Sequence, residues 1–289
     1  MFRYLITTII ASVAIVGIYT QYQLYSENPW TRDGQVRAHI IQITPRVTGP
    51  VVNVNIDDNS RVKKGDLLFE IEPSLYKAAL NNALAKQRQA QALLAKAINE
   101  NNRATALEKR KLGSVSVLDL NNFENAVQTA KANLASAEAL VEEAQLNVNF
   151  TKVFAPTDGF ITNLNLREGA QVVANSPVVA LIDENSFWIE GFFKETDLQG
   201  VIAGDKAIVT LMMNSDEPIN AKVDSIGYGI AKSDGSTGNT LLPNVNPNFQ
   251  WIRLAQRLPV KLTLENISDD VQLREGTTAS IKIIKTTTL

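Results

Sequence analysis

The sequence predicts a mixed α and β chain of elongated, modular build. It should carry an N-terminal transmembrane helix, a small two-sheet β-sandwich split by an antiparallel coiled-coil hairpin, and a β-barrel domain. Three observations carry this expectation. An apolar run without charge opens the chain, one β-patterned segment recurs once, and two long stretches free of glycine and proline separate its copies.

The bulk composition bounds the rest. A chain of 289 residues suggests about two domains. The 28 lysines and arginines nearly balance the 30 aspartates and glutamates, for a net charge of −2. That balance argues against a nucleic-acid partner, which needs clustered cations to displace counterions from phosphates. There is no cysteine and only one histidine, His39. Thiolate metal sites, iron–sulfur clusters, cysteine nucleophiles and disulfides are excluded, and a Ser/His/Asp triad has one candidate base at most. Catalysis is not expected, and neither is a cofactor or a metal.

The anchor is expected over residues 1–27. No charge stands between Arg3 and Glu27, and the strongly apolar part runs from Leu5 to Tyr19. A membrane-spanning helix needs about 20 such residues. Arg3 before the run places the N-terminus in the cytoplasm, and Tyr19, Tyr22, Tyr25 and Trp30 read as an aromatic belt on the far side. A cleaved signal peptide is the alternative, but the residues after Gly17 lack the small pair that cleavage prefers. On this reading the chain crosses a membrane once, and residues from about 27 onward lie outside the cytoplasm.

The sandwich is expected over residues 46–73 and 151–182. The stretch from Gly49 to Glu72 aligns without a gap on Gly159 to Ile182, at an offset of 110. Gly49 falls on Gly159, Val51 on Ile161, Asn53 on Asn163, Asn55 on Asn165 and Val62 on Val172. Each copy alternates apolar and polar residues, turns at a polar cluster and resumes, which is the pattern of a β-hairpin. One hairpin cannot cover its own apolar face, whereas two stacked copies can. Half-motifs of this shape resemble the biotinyl/lipoyl-like domain. In carrier proteins of that fold a tight turn presenting a modified lysine joins the halves; here Glu72-Pro73-Ser74 opens a long insert instead, which disfavours a carrier role.

The insert, residues 74–150, reads as a helical hairpin turning near 110–116, with Gly113 its only breaker. Ser74 is the expected N-cap of the first arm, and Ser116 to Asp119 resembles a capping box for the second. The second arm carries a heptad seam at Leu120, Phe123, Val127, Ala130, Leu134, Ala137, Val141, Ala144 and Val148. The first arm reads as less regular, with a small-residue ridge at Ala83, Ala90, Ala97 and Ala104. Arms of this length reach on the order of 54 Å.

The barrel, or membrane-proximal domain, is expected over residues 28–45 and 183–289. Candidate strands are Phe187–Phe193, Lys206–Met212, Ala221–Tyr228, Pro259–Leu264 and Ala279–Ile284. Gln35 to Ile43 joins them from the N-terminal side as one further strand. The stretch from Gly227 to Asn248 reads as a long mobile loop, either a contact for an inner-membrane pump or a plain surface excursion. His39 reads as a packed or surface residue, and the pairs Asp57-Asp58 and Asp269-Asp270 fall on turns where they make no persuasive acid/base or metal site.

This order of parts is similar to that of the periplasmic adaptor, or membrane fusion, proteins of tripartite efflux pumps. Within them it resembles the HlyD/EmrA-type branch and the adaptors of aromatic carboxylic acid pumps. The residues that carry the resemblance are Asn28 to Asp33, Val62 to Gly65, Ala155 to Gly159, Thr162 to Asn165 and Trp251 to Val260. The resemblance implies a non-enzymatic subunit, homo-oligomeric and without cofactor. It would link an inner-membrane transporter to a TolC-like outer-membrane channel for export of small molecules such as aromatic acids. An EmrA-like multidrug adaptor or a type I secretion adaptor would share the architecture; a membrane-anchored biotin/lipoyl carrier subunit is the more distant alternative. The resemblance further implies a channel-docking pattern at the hairpin tip, met here by Arg103, Leu107 and Ser114. The same residues also fit an ordinary solvated helix end, with Glu108, Lys109, Arg110 and Lys111 as its charge run. Arg110 also lies near the turn, and Ser116 is better placed than Ser114 to cap the second arm.

Overall fold

The structure is a computed structural model that describes residues 10, 12–19, 28–229, 255–268 and 271–285. Residues 12–19 are helical, but no described helix is long and apolar enough to cross a membrane. The expected anchor over residues 1–27 lies largely outside the described residues, as do most of the expected loop from Gly227 to Asn248 and the pair Asp269-Asp270. The chain forms two compact units, one of residues 40–182 and one of residues 1–39 with 183–289.

The first barrel strand, β1 (Trp30–Arg37), is followed by β2 (Ile40–Ile43) in the other unit. The expected single strand from Gln35 to Ile43 is therefore two. The reason is a slip of phase. Gly34, Val36 and Ala38 are buried at even positions, while Ile40 is exposed and the buried residue of β2 is Ile43. A one-residue slip moves a strand's buried set to its other face. The two parts accordingly face different cores.

The unit of residues 40–182 is built on a pseudo-dyad. The first copy of the repeat supplies β3 (Gly49–Val54), β4 (Arg61–Val62) and β5 (Leu67–Ile71). After β6 (Lys152–Phe154), the second supplies β7 (Gly159–Thr162), β8 (Gln171–Val172) and β9 (Val179–Asp183). The two sheets run β2-β9-β7-β4 and β6-β5-β3-β8. The copies are not the self-contained hairpins expected from their patterning, because the short middle strand of each crosses to the other copy's sheet. Val62 of β4 stands opposite Gly159, and Val172 of β8 opposite Gly49. The exchange puts Val62 and Val172 in the shared core with Leu68, Phe69, Ile71, Ile161 and Leu181.

The backbone bonds repeat across the dyad. The Asn59 N–H donates to the Ile161 carbonyl at 3.0 Å, and the Gly169 N–H to the Val51 carbonyl at 2.8 Å. The Gly65 N–H donates to Ala155 and the Asn175 N–H to Pro45, both at 2.9 Å. Even side chains obey it: the Lys64 N–H meets Asp158 Oδ1 at 2.7 Å, and the Ala174 N–H meets Thr48 Oγ1 at 2.9 Å. The left-handed positions match as well, Asn59 (φ 62°) with Gly169 (φ 81°) and Gly65 (φ 91°) with Asn175 (φ 64°). Glycine and asparagine are the residues that adopt this conformation at least cost, so the copies exchange one for the other.

Helix α1 (Ser74–Arg110) and helix α2 (Val117–Asn149) form the hairpin between the copies. At 37 and 33 residues they are about 55 and 50 Å long. Ser74 is the first helical residue and not the cap. The N-cap is Pro73, which has no side chain to offer, and the Ser74 hydroxyl turns back to donate to Glu72 Oε1. The whole α2 seam is withdrawn from solvent, with Val127, Ala130 and Ala137 most buried. The α1 seam proves as regular as that of α2. Tyr76, Leu80, Ala83, Gln87, Ala90, Leu94, Ala97, Asn101, Ala104 and Glu108 alternate at spacings of four and three, and all are buried or half-buried. Polar residues at Gln87, Asn101 and Glu108 mask this register in the sequence.

The other unit is a closed six-stranded barrel. Its strands after β1 are β10 (Trp188–Lys194), β11 (Lys206–Leu211), β12 (Asn214–Ile226), β13 (Arg257–Leu264) and β14 (Thr278–Ile284). They close in the order β1-β10-β13-β12-β11-β14 around Val36, Ile189, Phe193, Val209, Val223, Leu262 and Ile281. Gly34 and Gly191 stand directly opposite each other, and a Cβ on either would fall within 2.6 Å of Ile281 Cδ1. The isoleucine fills the room that the two glycines leave.

Gly159 offers a direct test of the close approach of β7 to β9. A Cβ there would sit 2.1 Å from the Ile182 carbonyl oxygen, a backbone atom that cannot step aside. Gly159→Ala should destabilise this unit by about 2 kcal/mol. Hydrogen exchange should show β7 and β9 opening faster while β13 of the barrel is unchanged. Wild-type protection at β9 would mean that this close approach is not a constraint.

Candidate functional site

The hairpin tip is where the chain concentrates exposed groups that its own fold does not use. Helix α1 ends at Arg110, and its carbonyls are closed by the Lys111 N–H, which donates to Leu107 O at 3.0 Å. Gly113 then takes φ 81°, the left-handed value that turns the chain. Helix α2 begins at Val117 with Ser116 as its N-cap, the Ser116 Oγ accepting the Leu118 N–H at 3.2 Å.

Glu108 organises the turn. Its carboxylate accepts the Gly113 N–H at 2.7 Å on one oxygen and the Val115 N–H at 2.9 Å on the other, where the Ser114 hydroxyl also comes to 3.5 Å. The Gly113 and then the Val115 backbone bonds hold its pKa below the ordinary glutamate range. The sequence reading placed Glu108 in a solvated charge run. The available signal was a glutamate at a seam position five residues ahead of the only glycine in the insert.

The residues implied in docking are placed as follows. Arg103 and Leu107 lie one helical turn apart on α1 and both are exposed, on a flank beside the buried seam residue Ala104. Ser114 is exposed in the turn, within reach of Glu108 and remote from that face in sequence. Leu107 is joined by apolar side chains that sequence reasoning passed over. Leu112 is 91% exposed, Val117 74% and Leu118 68%. Lys109, Arg110 and Lys111, also exposed, stand beside Leu112 in sequence. Exposed large apolar side chains with cations close by have the composition of a docking surface.

Elsewhere several polar side chains have local structural duties. Asp58 Oδ1 accepts the Leu164 N–H at 3.1 Å and Asp66 Oδ2 the Lys63 N–H at 2.8 Å, so these carboxylates fasten turns of the sandwich. The exposed ring of His39 lies 4.9 Å from that of Trp188. No group of three or more His, Asp or Glu among the described residues could hold a metal ion.

The shift at Glu108 fixes the sign of a pH effect at the tip. A lowered folded pKa gives an ordering contribution that is complete above the ordinary glutamate range and lost as pH falls through the lower, folded value. The amide proton shifts of Gly113 and Val115 should therefore titrate together, with a midpoint below that range. In Glu108→Gln the titration should vanish and exchange at both amides should quicken, while the seam around Ala97 stays protected. Unchanged exchange in the variant would remove Glu108 from this role.

Comparison with known proteins agrees with this architecture. Residues 39–184 match the family model of the RND-type membrane fusion protein barrel-sandwich hybrid domain. Residues 186–284 match that of the AAEA-like β-barrel domain. An uncharacterised Escherichia coli K12 protein, YdhJ, is 38% identical over 281 residues, 97% of each chain. Among solved structures, the membrane fusion protein Spr0693 of Streptococcus pneumoniae R6 superimposes with a TM-score of 0.63 at 16% identity, covering 88% of this chain and 98% of its own. MacA of Actinobacillus actinomycetemcomitans gives 0.61 at 21% identity, covering 89% and 78%. These likenesses extend to both units, and the chain belongs to the membrane fusion protein family, with an RND-type barrel-sandwich hybrid domain and an AAEA-like β-barrel.

Proposed function

We propose that this chain is the periplasmic adaptor of a tripartite efflux pump. The observation that carries the reading is the hairpin. It leaves one end of a sandwich that closes on itself and ends in a tip whose apolar and cationic side chains have no use within the chain. The tip docks on a TolC-like outer-membrane channel, with Arg103, Leu107 and Ser114 in the contact and Leu112, Val117 and Leu118 beside them. Arginine supplies paired donors for carbonyls or carboxylates, and the leucines supply apolar anchors.

In this reading residues 1–27 anchor the chain once in the inner membrane and the bulk lies in the periplasm. The uncharged run between Arg3 and Glu27 supports it, as do the helical residues 12–19, whose Val13, Ile15, Val16 and Ile18 are exposed. Copies associate side by side around a conduit, and an inner-membrane transporter supplies the energy. The role is structural and without a catalytic step. The cargo is small molecules such as aromatic carboxylic acids, a reading supported by the AAEA-like barrel.

Photocrosslinkers placed singly at positions 103, 107, 112, 114 and 118 in cells should capture an outer-membrane channel protein, whereas one at exposed Lys131, mid-way along α2, should not. Replacing Leu107 and Leu112 by Asp together should abolish the capture and raise sensitivity to aromatic acids to the level of a deletion. A channel absent from every tip product, with the chain present at its normal level, would defeat the docking reading.

A further inference from the structure

The outer face of the barrel is charged unevenly. On β10 and β13 the outward positions mix signs: Glu190 stands opposite Lys261, which also lies 3.8 Å from Asp224 of β12. On β11 and β14 the outward residues are Lys206, Ile208 and Thr210, and Thr278, Ser280, Lys282 and Ile284, with no carboxylate among them. The register makes one surface of the neighbours. Lys206 stands opposite both Ile284 and Lys222, and Lys282 opposite both Ile208 and Trp30. Trp30, itself exposed, carries the Arg32 guanidinium over its ring at 5.6 Å. Among the described residues, Lys206, Lys222 and Lys282 have no carboxylate within ion-pair distance.

The place where the N-terminal segment meets the barrel adds a second, independent observation. Asn28 and Pro29 are tied to the end of β14: the Ile283 N–H donates to the Pro29 carbonyl at 2.9 Å and the Lys285 N–H to Asn28 Oδ1 at 3.3 Å. The chain before Asn28 is the stretch without charge between Arg3 and Glu27. The apolar run thus joins the barrel beside β14, whose outward face carries Lys282 and no carboxylate.

We infer that the outer face of β11 and β14, bordered by Lys222 of β12 and Trp30 of β1, is a docking surface for an anionic phospholipid bilayer. The exposed carboxylates Asp216, Glu217 and Asp224 stand elsewhere along β12. Lys206, Lys222 and Lys282 meet the headgroup phosphates, while Trp30, Ile208 and Ile284 enter the interfacial layer. Lysines near an anionic leaflet each add to binding, and an aromatic ring with isoleucines suits the boundary between headgroup and acyl chain. The mixed charges of β10 and β13 give that side no such preference. The inference rests on the proposed anchor for its geometry, since the anchor brings this flank within reach of the membrane that holds it.

The chain has no cysteine, so Asn220→Cys places a single label beside Ile208 and Lys222. Met212→Cys, in the turn after β11, is the control at the other end of the barrel. The full chain is reconstituted into phosphatidylcholine vesicles with or without phosphatidylglycerol, and quenching of a fluorophore by headgroup-borne nitroxides is read. Quenching at position 220 should require phosphatidylglycerol and disappear in high salt, with position 212 unquenched throughout. Lys206→Gln, Lys222→Gln and Lys282→Gln together should shift the docked equilibrium by on the order of a hundredfold, which takes the signal to background. Equal quenching in both vesicle types, or none, overturns the inference, as does capture of an acidic membrane protein by this flank without a lipid signal. Retention on phosphatidylcholine vesicles after an alkaline wash reads the anchor separately. A chain retained there without lipid-dependent quenching keeps the anchor and loses the docking surface. A chain washed off those vesicles yet quenched on anionic ones keeps the surface and loses the anchor.

Discussion

Reciprocal pairing between the two copies of the repeat is the constraint on which the rest of the hairpin-bearing unit depends. Each copy gives its middle strand to the other's sheet, so neither sheet is complete until both copies are present. The order of assembly follows from chain length. The copies are separated by seventy residues of helix and the turn between them, and closing so long a loop costs entropy before any sheet contact repays it. Folding the insert first shortens that search, because two antiparallel arms bring Pro73 and Phe150 side by side.

The same constraint explains how the base of the hairpin is held. The Tyr76 hydroxyl in the first turn of α1 donates to the Thr48 carbonyl at 2.7 Å, just before β3. Where α2 ends, the Arg46 guanidinium lies 4.8 Å from the Phe150 ring centroid. Buried Thr151 donates to Val148 O at 2.7 Å, and its carbonyl accepts the Ile71 N–H at 2.8 Å. Both arms therefore end in contacts with residues of the sandwich. At the far end the Glu108 carboxylate does for the turn what these residues do for the base.

The repeat and the helical insert were legible because both are periodic signals longer than their local noise. An ungapped offset carried through two dozen positions, and the second arm held nine apolar seam residues in a row. Three features were not legible, each for a physical reason. The crossing of β4 and β8 leaves no mark on patterning, since Val62 and Val172 are buried whichever sheet they join. The phase slip between Ala38 and Ile43 was hidden by an unbroken β-prone stretch, although the parity of its buried residues changes there. The α1 register was hidden because Gln87, Asn101 and Glu108 occupy seam positions that a search for apolar residues discards. At the tip, Arg103, Leu107 and Ser114 could be named from a spacing, whereas Glu108 needed the fold of the turn to show what its carboxylate accepts.

The composition of the seam has a mechanical meaning. Four α1 seam positions are alanine, and each gives up about 2 kcal/mol of hydrophobic stabilisation relative to a leucine. Gln87 and Asn101 lower it further but fix the register, as a polar residue does at a coiled-coil seam. A hairpin of this kind gains little from its middle and is held chiefly at its ends, by the sandwich at the base and by Glu108 at the turn. Small residues let the arms approach closely. With the tip about 55 Å from its support, its position is set at the base. A seam of leucines would make the middle self-sufficient, and the orientation of the tip would then depend less on the two copies of the repeat closing on each other.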